Sequence, residues 1–319
     1  MLTIVMYHYV RDLASSRYPR IKGLDLKAFR GQLQYLKKHY RFTSVAEIIH
    51  ATRNEGKIEG NAVLLTFDDG YADHYDNVFP LLDTMGVQGA FFPPSVAIVE
   101  GTLLDVNKIH FILAAADIER VQEAFVASLD VLRGEGHAIP DVKNLFKVEQ
   151  AGRRYDSACV SLIKRMLQRD LPLELRKRVT TELFRTFVTA DELGFARELY
   201  TSVGQLQTMV RHGMYIGAHG ATHCWLDSVS RETQEREIDA SLNLLRLIGA
   251  PISDWVMCYP YGAYNAGLLE VLRMRGCALG LTTRVDLADV SAKNALTLQR
   301  LDTNDLPCDP MQHPNISGS

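Results

Sequence analysis

The residues best suited to chemistry are two adjacent carboxylates, Asp68 and Asp69, which follow an unbroken apolar run at 62–65 and precede Gly70. Such a run predicts a strand that is buried on both faces, and glycine lets the chain turn sharply after it. Because successive strand residues point to opposite sides, the two carboxylates are expected to do different work. Two like charges at a buried strand end both ionise readily only beside a cation or hydrogen-bond donors, so the pair predicts a metal site.

A second stretch offers the other ligands of such a site, because His219 and His223 follow a short apolar segment at 215–218 and flank Gly220. If a helical turn begins at His219, residues four apart share one face and both imidazoles reach one ion. Two histidines and one carboxylate suit a divalent transition metal with positions open to water and substrate. Each half alone is weak, since ten histidines give chance pairs and Asp-Asp-Gly is ordinary turn chemistry. Their joint occurrence after apolar strands favours the metal site.

Composition limits the classes of protein that remain. The chain has 319 residues, 47% hydrophobic and 23% charged, which is typical of a soluble globular protein. Its net charge of −3 and the lack of a basic block argue against a nucleic-acid partner. The sequence shows no apolar run of membrane-spanning length and no signal-peptide pattern. Five scattered cysteines without a C-x-x-C motif fit reduced thiols, so a cytoplasmic location is expected.

Apolar and amphipathic segments alternate along the chain, which predicts a parallel sheet. Strands are predicted at 2–7, 62–68, 88–92, 215–219, 255–259, 278–283 and 295–301. The polar clusters lie just after these strands, as catalytic groups do in closed α/β barrels, so we expect a barrel of about seven strands. A helical insertion at about 101–195 is predicted to interrupt a single domain at 1–305, and the tail at 306–319 is predicted to fray.

Three motifs carry a resemblance to a known family: TFDDG at 66–70, HGATH at 219–223 and YPYG at 259–262. In this order they resemble the first three motifs of the polysaccharide deacetylase family, the NodB-homology domain of carbohydrate esterase family four. The opening MYHYV at 6–10 also resembles the start of some members. The resemblance covers about 1–100 and 196–305 and leaves the predicted helical insertion outside it.

The resemblance implies a distorted (β/α) barrel, a divalent metal and hydrolysis of an N-acetyl group on an amino sugar. The metal would be Zn²⁺ in most members, with Co²⁺ or Ni²⁺ in some. By the matching motif positions, Asp68 would be the general base, and Asp69, His219 and His223 the metal ligands. The backbone N–H of Tyr261 would help to hold the oxyanion. The residues expected to line the substrate pocket are Pro260, Tyr261 and Arg300.

The sequence departs from the family pattern at two places. Many members carry an arginine that steadies the base, where this chain has Cys258, so Arg300 is a candidate replacement. Many members also carry a late Leu-x-His motif for the general acid, and none is found near 296–302. His8, expected to end a barrel strand, is the best-placed substitute. The alternative is a buried histidine that only bonds backbone, and the sequence leaves both interpretations open.

These observations predict a metal-dependent N-deacetylase of the cytoplasm that takes part in making cell-surface polysaccharide. Its substrate would be an acetamido sugar carried by a nucleotide or a lipid, or a glycan precursor, with contact to a lipid-linked substrate as one option. One alternative is an amidohydrolase that acts on another small N-acyl compound. The other alternative is a non-catalytic carbohydrate-binding member of the same fold, which the departures favour and the intact Asp and His residues oppose.

Overall fold

A computed structural model of the protein describes residues 1–54, 57–139, 156–309 and 311. The chain divides into two compact units. Unit 1 comprises Met1–Asp12, Gly23–Thr102 and Ala196–Ser319, and unit 2 comprises Leu13–Lys22 and Leu103–Phe195. Residues 310 and 312–319 of the tail that is predicted to fray lie outside the described residues. Residues 140–155 of the predicted helical insertion also lie outside them.

The strands of the described chain all lie in unit 1. They are β1 (Leu2–Tyr7), β2 (Val10–Arg11), β3 (Leu24–Asp25), β4 (Arg41–Phe42), β5 (Ala62–Asp68), β6 (Gly89–Phe92), β7 (Tyr215–Ile216), β8 (Trp255–Cys258), β9 (Cys277–Leu281) and β10 (Leu301–Asp302). The first α-helices are α1 (Leu26–His39), α2 (Val45–Arg53), α3 (Phe79–Met85) and α4 (Ser95–Val99). A π-helical turn, His74–Val78, leads directly into α3.

Helices dominate the middle of the chain and then alternate with strands. The helices that follow α4 are α5 (Asp105–Ala115), α6 (Ile118–Gly134), α7 (Ala158–Arg165), α8 (Leu173–Phe187), α9 (Glu192–Leu199), α10 (Val203–Arg211), α11 (Arg231–Ile248) and α12 (Ala266–Met274). In the part of the chain that the structure describes, none combines the length and apolar character needed to cross a bilayer.

Parallel pairing connects seven of the strands into one circuit. β1 pairs with β5, β5 with β6, and β6 with β7. A bridge between Ala218 and Met257 joins the end of β7 to β8, which pairs with β9. A second bridge, Leu281 to Leu298, leads to β10, and β10 pairs with β1. The pairings thus return to the strand where they begin, as the predicted (β/α) barrel requires.

The core of unit 1 explains this arrangement. All seven residues of β5 are buried, as its unbroken apolar run predicts. The strand residues of the main hydrophobic cluster recur at every second position and therefore share one face. Examples are Leu2 and Ile4, Val256 and Cys258, and Leu279 and Leu281. This face is the apolar floor beneath the polar groups described below.

Local signals fix the helix ends in unit 1. The Asp25 side chain accepts a hydrogen bond from the Lys27 N–H at the start of α1, and Ser44 does the same for Glu47 in α2. Gly86 ends α3 in the left-handed conformation, with φ 64°. Each of these residues is of a type that favours the helix end where it lies, so neighbouring residues alone account for the three ends.

Two predicted strands prove shorter than expected. The segment 215–219 is a strand only at β7, because the chain changes partner: the Gly217 N–H bonds to β6, whereas the Ala218 N–H bonds to β8. The segment 295–301 has a single bridge at Leu298 before β10 begins. In this segment the Leu296 carbonyl accepts a hydrogen bond from the Tyr259 hydroxyl at 2.9 Å, a side-chain donor in place of a neighbouring strand.

Candidate active site

A row of polar side chains lies at the carboxyl ends of the barrel strands. The two-residue period of a strand puts residues i and i+2 on the same face. In β5, Thr66 and Asp68 follow the core residue Leu64 in this way, and in β8 the Cys258 thiol ends the core face that Val256 begins. Arg300 lies two residues after the core residue Leu298 and just before β10. The side chains therefore converge above the apolar floor.

Arg300 and Asp68 form a buried ion pair within this row. The guanidinium donates to both carboxylate oxygens, at 2.9 and 2.8 Å. It also donates to the Thr66 hydroxyl at 3.1 Å and to the Thr282 carbonyl at 2.8 Å. Burial raises the pKa of Asp68, but the positive charge of Arg300 lowers it by more, and the resulting pKa is about 2. Asp68 is therefore an oriented carboxylate that stays ionised at neutral pH.

Asp69 faces away from this pair and towards the two histidines. Its Oδ1 atom lies 3.3 Å from His219 Nε2 and 3.2 Å from His223 Nε2. All three side chains are buried. Burial raises the pKa of Asp69, but with the histidines protonated His223 and His219 lower it by more, to well below its ordinary value. The structure thus brings together the three residues that the sequence predicts as metal ligands.

The hydrogen bonds around this trio fit a bound cation. The Cys258 carbonyl, which can only accept, lies 2.8 Å from His219 Nδ1, so that nitrogen carries the proton. With neutral imidazole, the Nε2 lone pair then faces Asp69 Oδ1, an atom with no hydrogen-bond donor of its own among the described residues. Two facing acceptors repel unless a positive charge lies between them. One carboxylate oxygen and two imidazole nitrogens are ligands that Zn²⁺ accepts.

A second group of possible ligands is less suitable. Asp68, His219 and Cys258 also offer ligand atoms within 4.8 Å of one another. Arg300 bonds to both Asp68 oxygens, however, and brings a fixed positive charge beside them. The Asp69 trio is therefore the better metal site.

The loop from His219 to His223 corrects one prediction. No helical turn begins at His219; Gly220 and His223 instead adopt left-handed backbone conformations, with φ 72° and 57°. The Glu237 carboxylate of α11 fixes this loop, because one oxygen accepts from the N–H groups of Ala221 and Thr222 at 2.7 and 2.9 Å. The other oxygen accepts from the Thr222 hydroxyl at 2.7 Å.

Glu237 holds the loop of the candidate site, and the sequence reasoning missed it. It is buried, and it lies on the buried face of α11 between Gln234 and Ile238. A carboxylate in such a stripe needs partners, because burial of an unpaired charge is costly. A glutamate at a helix position where the pattern predicts an apolar residue is the signal that could have identified Glu237.

The remaining predicted residues lie around the same strand ends. His8 follows β1, whose last residue Tyr7 pairs with Phe67, so His8 and Asp68 each come directly after the last pair of this ladder. The His8 carbonyl lies 2.9 Å from His74 Nε2. Tyr261 has φ 58°, and its ring lies edge-on to His223 at 4.7 Å between centroids.

Pro260 and Arg300 are both buried. Arg300 has 0% exposure, so it lies behind Asp68 and fits the steadying role rather than contact with substrate. Of the non-glycine residues with positive φ in the described chain, Asp69, His223 and Tyr261 surround the site and Asp254 does not. Strained backbone of this kind clusters at functional sites.

The fold is shared with solved deacetylase structures. The deacetylase PplD of Streptococcus pyogenes, in complex with acetate, superposes with a TM-score of 0.57 at 18% identity. The comparison covers 97% of this chain and 94% of that one. IcaB from Ammonifex degensii gives a TM-score of 0.53 at 19% identity, over 94% and 90% of the two chains. At these identities the likeness establishes the (β/α) barrel fold alone.

Sequence relatives are similar over a shorter stretch. A poly-beta-1,6-N-acetyl-D-glucosamine N-deacetylase of Escherichia coli strain K12 is 34% identical over 102 residues, which span 32% of this chain and 14% of that protein. The putative polysaccharide deacetylase YxkH of Bacillus subtilis is 30% identical over 92 residues, 28% of this chain and 31% of the relative. The chain thus matches only a small part of the length of these proteins.

A family model gives the wider match. The model described as polysaccharide deacetylase matches residues 55–132 and 186–279, more than half of the chain. These ranges contain Asp68, Asp69, His219, His223 and the motif at 259–262. The chain therefore belongs to the polysaccharide deacetylase family.

Proposed function

We propose that the protein is a metal-dependent hydrolase that removes the N-acetyl group of an acetamido sugar. Water adds to the acetyl carbonyl, the C–N bond breaks, and acetate and a free amine leave. The observation that carries the proposal is the convergence of Asp69, His219 and His223 at 3.2–3.3 Å beside the ionised Asp68. A base beside a metal site is what this hydrolysis requires, so the arrangement supports the proposal.

Asp69 Oδ1, His219 Nε2 and His223 Nε2 would hold the metal. A divalent ion bound there supplies Lewis-acid polarisation of the carbonyl and acidifies water. Zn²⁺ is the first candidate, and Co²⁺ and Ni²⁺ are the others. His219 is oriented for this task by its bond to the Cys258 carbonyl at 2.8 Å, as metal-binding histidines commonly are.

Asp68 would accept a proton from the attacking water. Each carboxylate oxygen has two lone pairs. Oδ1 is occupied by Arg300 Nη1 at 2.9 Å and the Cys258 thiol at 3.3 Å. From the described residues, Oδ2 accepts one bond, from Arg300 Nη2 at 2.8 Å. Oδ2 therefore keeps one lone pair for the proton. Arg300 holds this oxygen in a fixed direction while the proton is transferred.

Two further groups would act on the developing charges. The backbone N–H of Tyr261 would donate to the oxyanion. His8 would protonate the leaving amine, since it and Asp68 come directly after the last pair between β1 and β5. Pro260, buried beside Tyr261, would help to shape the wall of the substrate pocket.

The substrate class follows from chemistry and from relatives. The Escherichia coli relative is named for poly-beta-1,6-N-acetyl-D-glucosamine, so that polymer is one candidate. Nucleotide-linked and lipid-linked N-acetylated sugars and glycan precursors of cell-surface polysaccharide are the others, with contact to a lipid carrier in the second case. The cytoplasmic location expected from the cysteine pattern stays a prediction, and cell fractionation with an antibody to the chain tests it.

The test is acetate release by the purified protein with its metal content measured. The panel comprises β-1,6-linked N-acetylglucosamine oligomers, nucleotide-linked and lipid-linked N-acetylglucosamine, and small N-acetylated amides without a sugar. We expect one metal ion per chain and acetate from a sugar substrate, with little from Asp68→Asn. Glycan binding without acetate release would favour the non-catalytic alternative. Activity on the small amides alone would favour the other amidohydrolase.

A further inference from the structure

The Tyr71 side chain contacts the carboxylate that the proposed metal needs. Its hydroxyl donates to Asp69 Oδ2 at 2.5 Å, and both side chains are buried. The other oxygen, Oδ1, is the one that faces His219 and His223. The two oxygens of Asp69 therefore have separate surroundings, one provided by Tyr71 and the other by the two imidazoles.

We infer that Tyr71 is a positioning residue that keeps Asp69 Oδ2 for its own hydroxyl and presents Oδ1 alone to the metal. This inference rests on the proposed function, because it requires a metal at Asp69. A carboxylate held by one oxygen occupies one coordination position and leaves others open to water and substrate. A carboxylate free to turn could bring both oxygens to the ion and close one of those positions.

The surroundings of Tyr71 keep its hydroxyl in place. Its ring stacks on Tyr9, with centroids 4.0 Å apart and an interplanar angle of 17°. A backbone bridge pairs Tyr71 with Tyr200. The neighbouring Gly70 carbonyl accepts from both the N–H and the hydroxyl of Thr201, at 2.9 and 3.0 Å. A hydroxyl fixed on both the ring and the backbone side orients its acceptor without further ordering on metal binding.

The backbone of Asp69 is held as well. Its φ of 74° lies in the left-handed region, which costs energy for a residue with a side chain. The Asp69 N–H donates to the Phe92 carbonyl of β6 at 3.0 Å. Backbone strain that the fold maintains, together with a buried hydroxyl aimed at one oxygen, is what a rigid single-oxygen ligand requires.

The test compares Tyr71→Phe with Tyr7→Phe. Both substitutions remove one hydroxyl from a fully buried tyrosine, but the Tyr7 hydroxyl has no hydrogen-bond partner in the part of the chain that is described. We expect Tyr71→Phe to raise the Kd for Zn²⁺ by about 10- to 100-fold, the usual effect of losing a partner of a metal ligand. Tyr7→Phe should leave this Kd unchanged. Competition with a chromophoric chelator measures it.

A second measurement separates metal geometry from general stability. With Co²⁺ in place of Zn²⁺, Tyr71→Phe should change the visible d–d absorption spectrum, whereas Tyr7→Phe should not. A Zn²⁺ Kd for Tyr71→Phe within twofold of the unsubstituted protein, with the same Co²⁺ spectrum, would overturn the inference alone. No metal binding by the unsubstituted protein would overturn both the inference and the proposed function.

Discussion

Arg300 binds Asp68 through two parallel hydrogen bonds, Nη1 to Oδ1 at 2.9 Å and Nη2 to Oδ2 at 2.8 Å. Both side chains are buried. Paired bonds of this kind fix direction as well as charge. The family resemblance leads one to expect an arginine in place of Cys258. In this chain the cation comes instead from residue 300, next to β10, and the Cys258 thiol contacts Asp68 Oδ1 at 3.3 Å.

Removal of this cation should destabilise the fold. Arg300→Met leaves a buried carboxylate unpaired, which typically costs about 3–5 kcal/mol in the free energy of unfolding. Urea unfolding at pH 7 measures the loss. Arg275→Met is the matched control, since Arg275 forms a paired contact with the half-exposed Asp239 at the surface, and such pairs contribute up to about 1 kcal/mol. An equal loss in both variants would contradict the role assigned to the buried pair.

The pH dependence of that loss has a definite sign. Burial raises the pKa of Asp68 and Arg300 lowers it by more, so that folding lowers the pKa from 3.8 to about 2. A carboxylate whose pKa is lowered by folding contributes stability above its unfolded pKa, and this is lost as the pH falls through the folded value. In Arg300→Met, burial acts on Asp68 without the opposing cation, so its pKa should rise and the variant should gain stability as it takes up a proton. The stability difference between the unsubstituted protein and Arg300→Met should therefore shrink as the pH falls from 7, and shrink further between about pH 4 and pH 2 as the unsubstituted protein loses its own contribution. Urea unfolding measured across this range tests both steps.

Substitution of the two adjacent carboxylates should show that they have different roles. Asp68→Asn removes the proposed base and should lower kcat/KM by about 10²–10⁴-fold while the metal stoichiometry is kept. Asp69→Asn removes a proposed ligand and should weaken metal binding itself. Metal analysis and acetate release on both variants, with melting temperatures as controls of folding, measure the two effects. Equal metal loss in both would contradict the division of roles.

Metal should stabilise the fold in proportion to its concentration. Zn²⁺ at about 100 times its Kd should add about 2.7 kcal/mol to the free energy of unfolding, because it binds only the folded site. Thermal unfolding with Zn²⁺ and with a chelator measures this. His219→Ala should abolish the shift, whereas His212→Ala, a half-exposed residue paired with Asp83, should keep it. A shift that persists in His219→Ala would place the metal elsewhere.

The sequence predicts this site well where the information is local. The run that forms β5 and the carboxylates that end it are adjacent in the chain, so their order alone places Asp68 and Asp69 at a buried strand end. The caps at Asp25 and Ser44 are local in the same sense. Pattern and propensity describe such features because each depends on a few neighbouring residues.

Features that depend on distant contacts could not be predicted in this way. The partner of Glu237 is a loop about 15 residues earlier in the chain, and that loop, not a helical turn, brings His219 and His223 together. The bond from Tyr71 to Asp69 joins near neighbours, but it spans a turn in which Asp69 and Gly70 both have left-handed backbones. Tertiary packing selects these conformations against local preference.

Glu237 offers a test of how that loop is held. Glu237→Ala removes the acceptor of the buried Ala221 N–H and of the part-buried Thr222 N–H. A buried donor left unpaired costs about 1–3 kcal/mol, and the Zn²⁺ Kd should rise by about 10- to 100-fold. Glu237→Gln keeps a carbonyl oxygen for both donors and should retain most of the affinity. Glu232→Ala, an exposed residue of the same helix, is the control. Chelator competition and urea unfolding give both quantities, and unchanged affinity in Glu237→Ala would contradict the role.

One substitution, His8→Gln, can decide the role of His8. If His8 protonates the leaving amine, His8→Gln should lower kcat by about 10²–10⁴-fold, or about 3–5 kcal/mol of barrier. It should also flatten the alkaline limb of the pH–rate profile, because that limb reports loss of the proton from the general acid. The fold should be little affected, since the bond to His74 uses the His8 carbonyl and not its side chain.

A purely structural His8 predicts the opposite pattern. His8→Gln would then melt at a lower temperature, yet its folded fraction would turn over at a near-normal kcat with an unchanged pH profile. His212→Gln, at a half-exposed position, should match the unsubstituted protein in every measurement. Melting curves and pH–rate profiles of the three proteins side by side distinguish the two roles. A normal kcat in His8→Gln would move the general acid to another residue near Asp68.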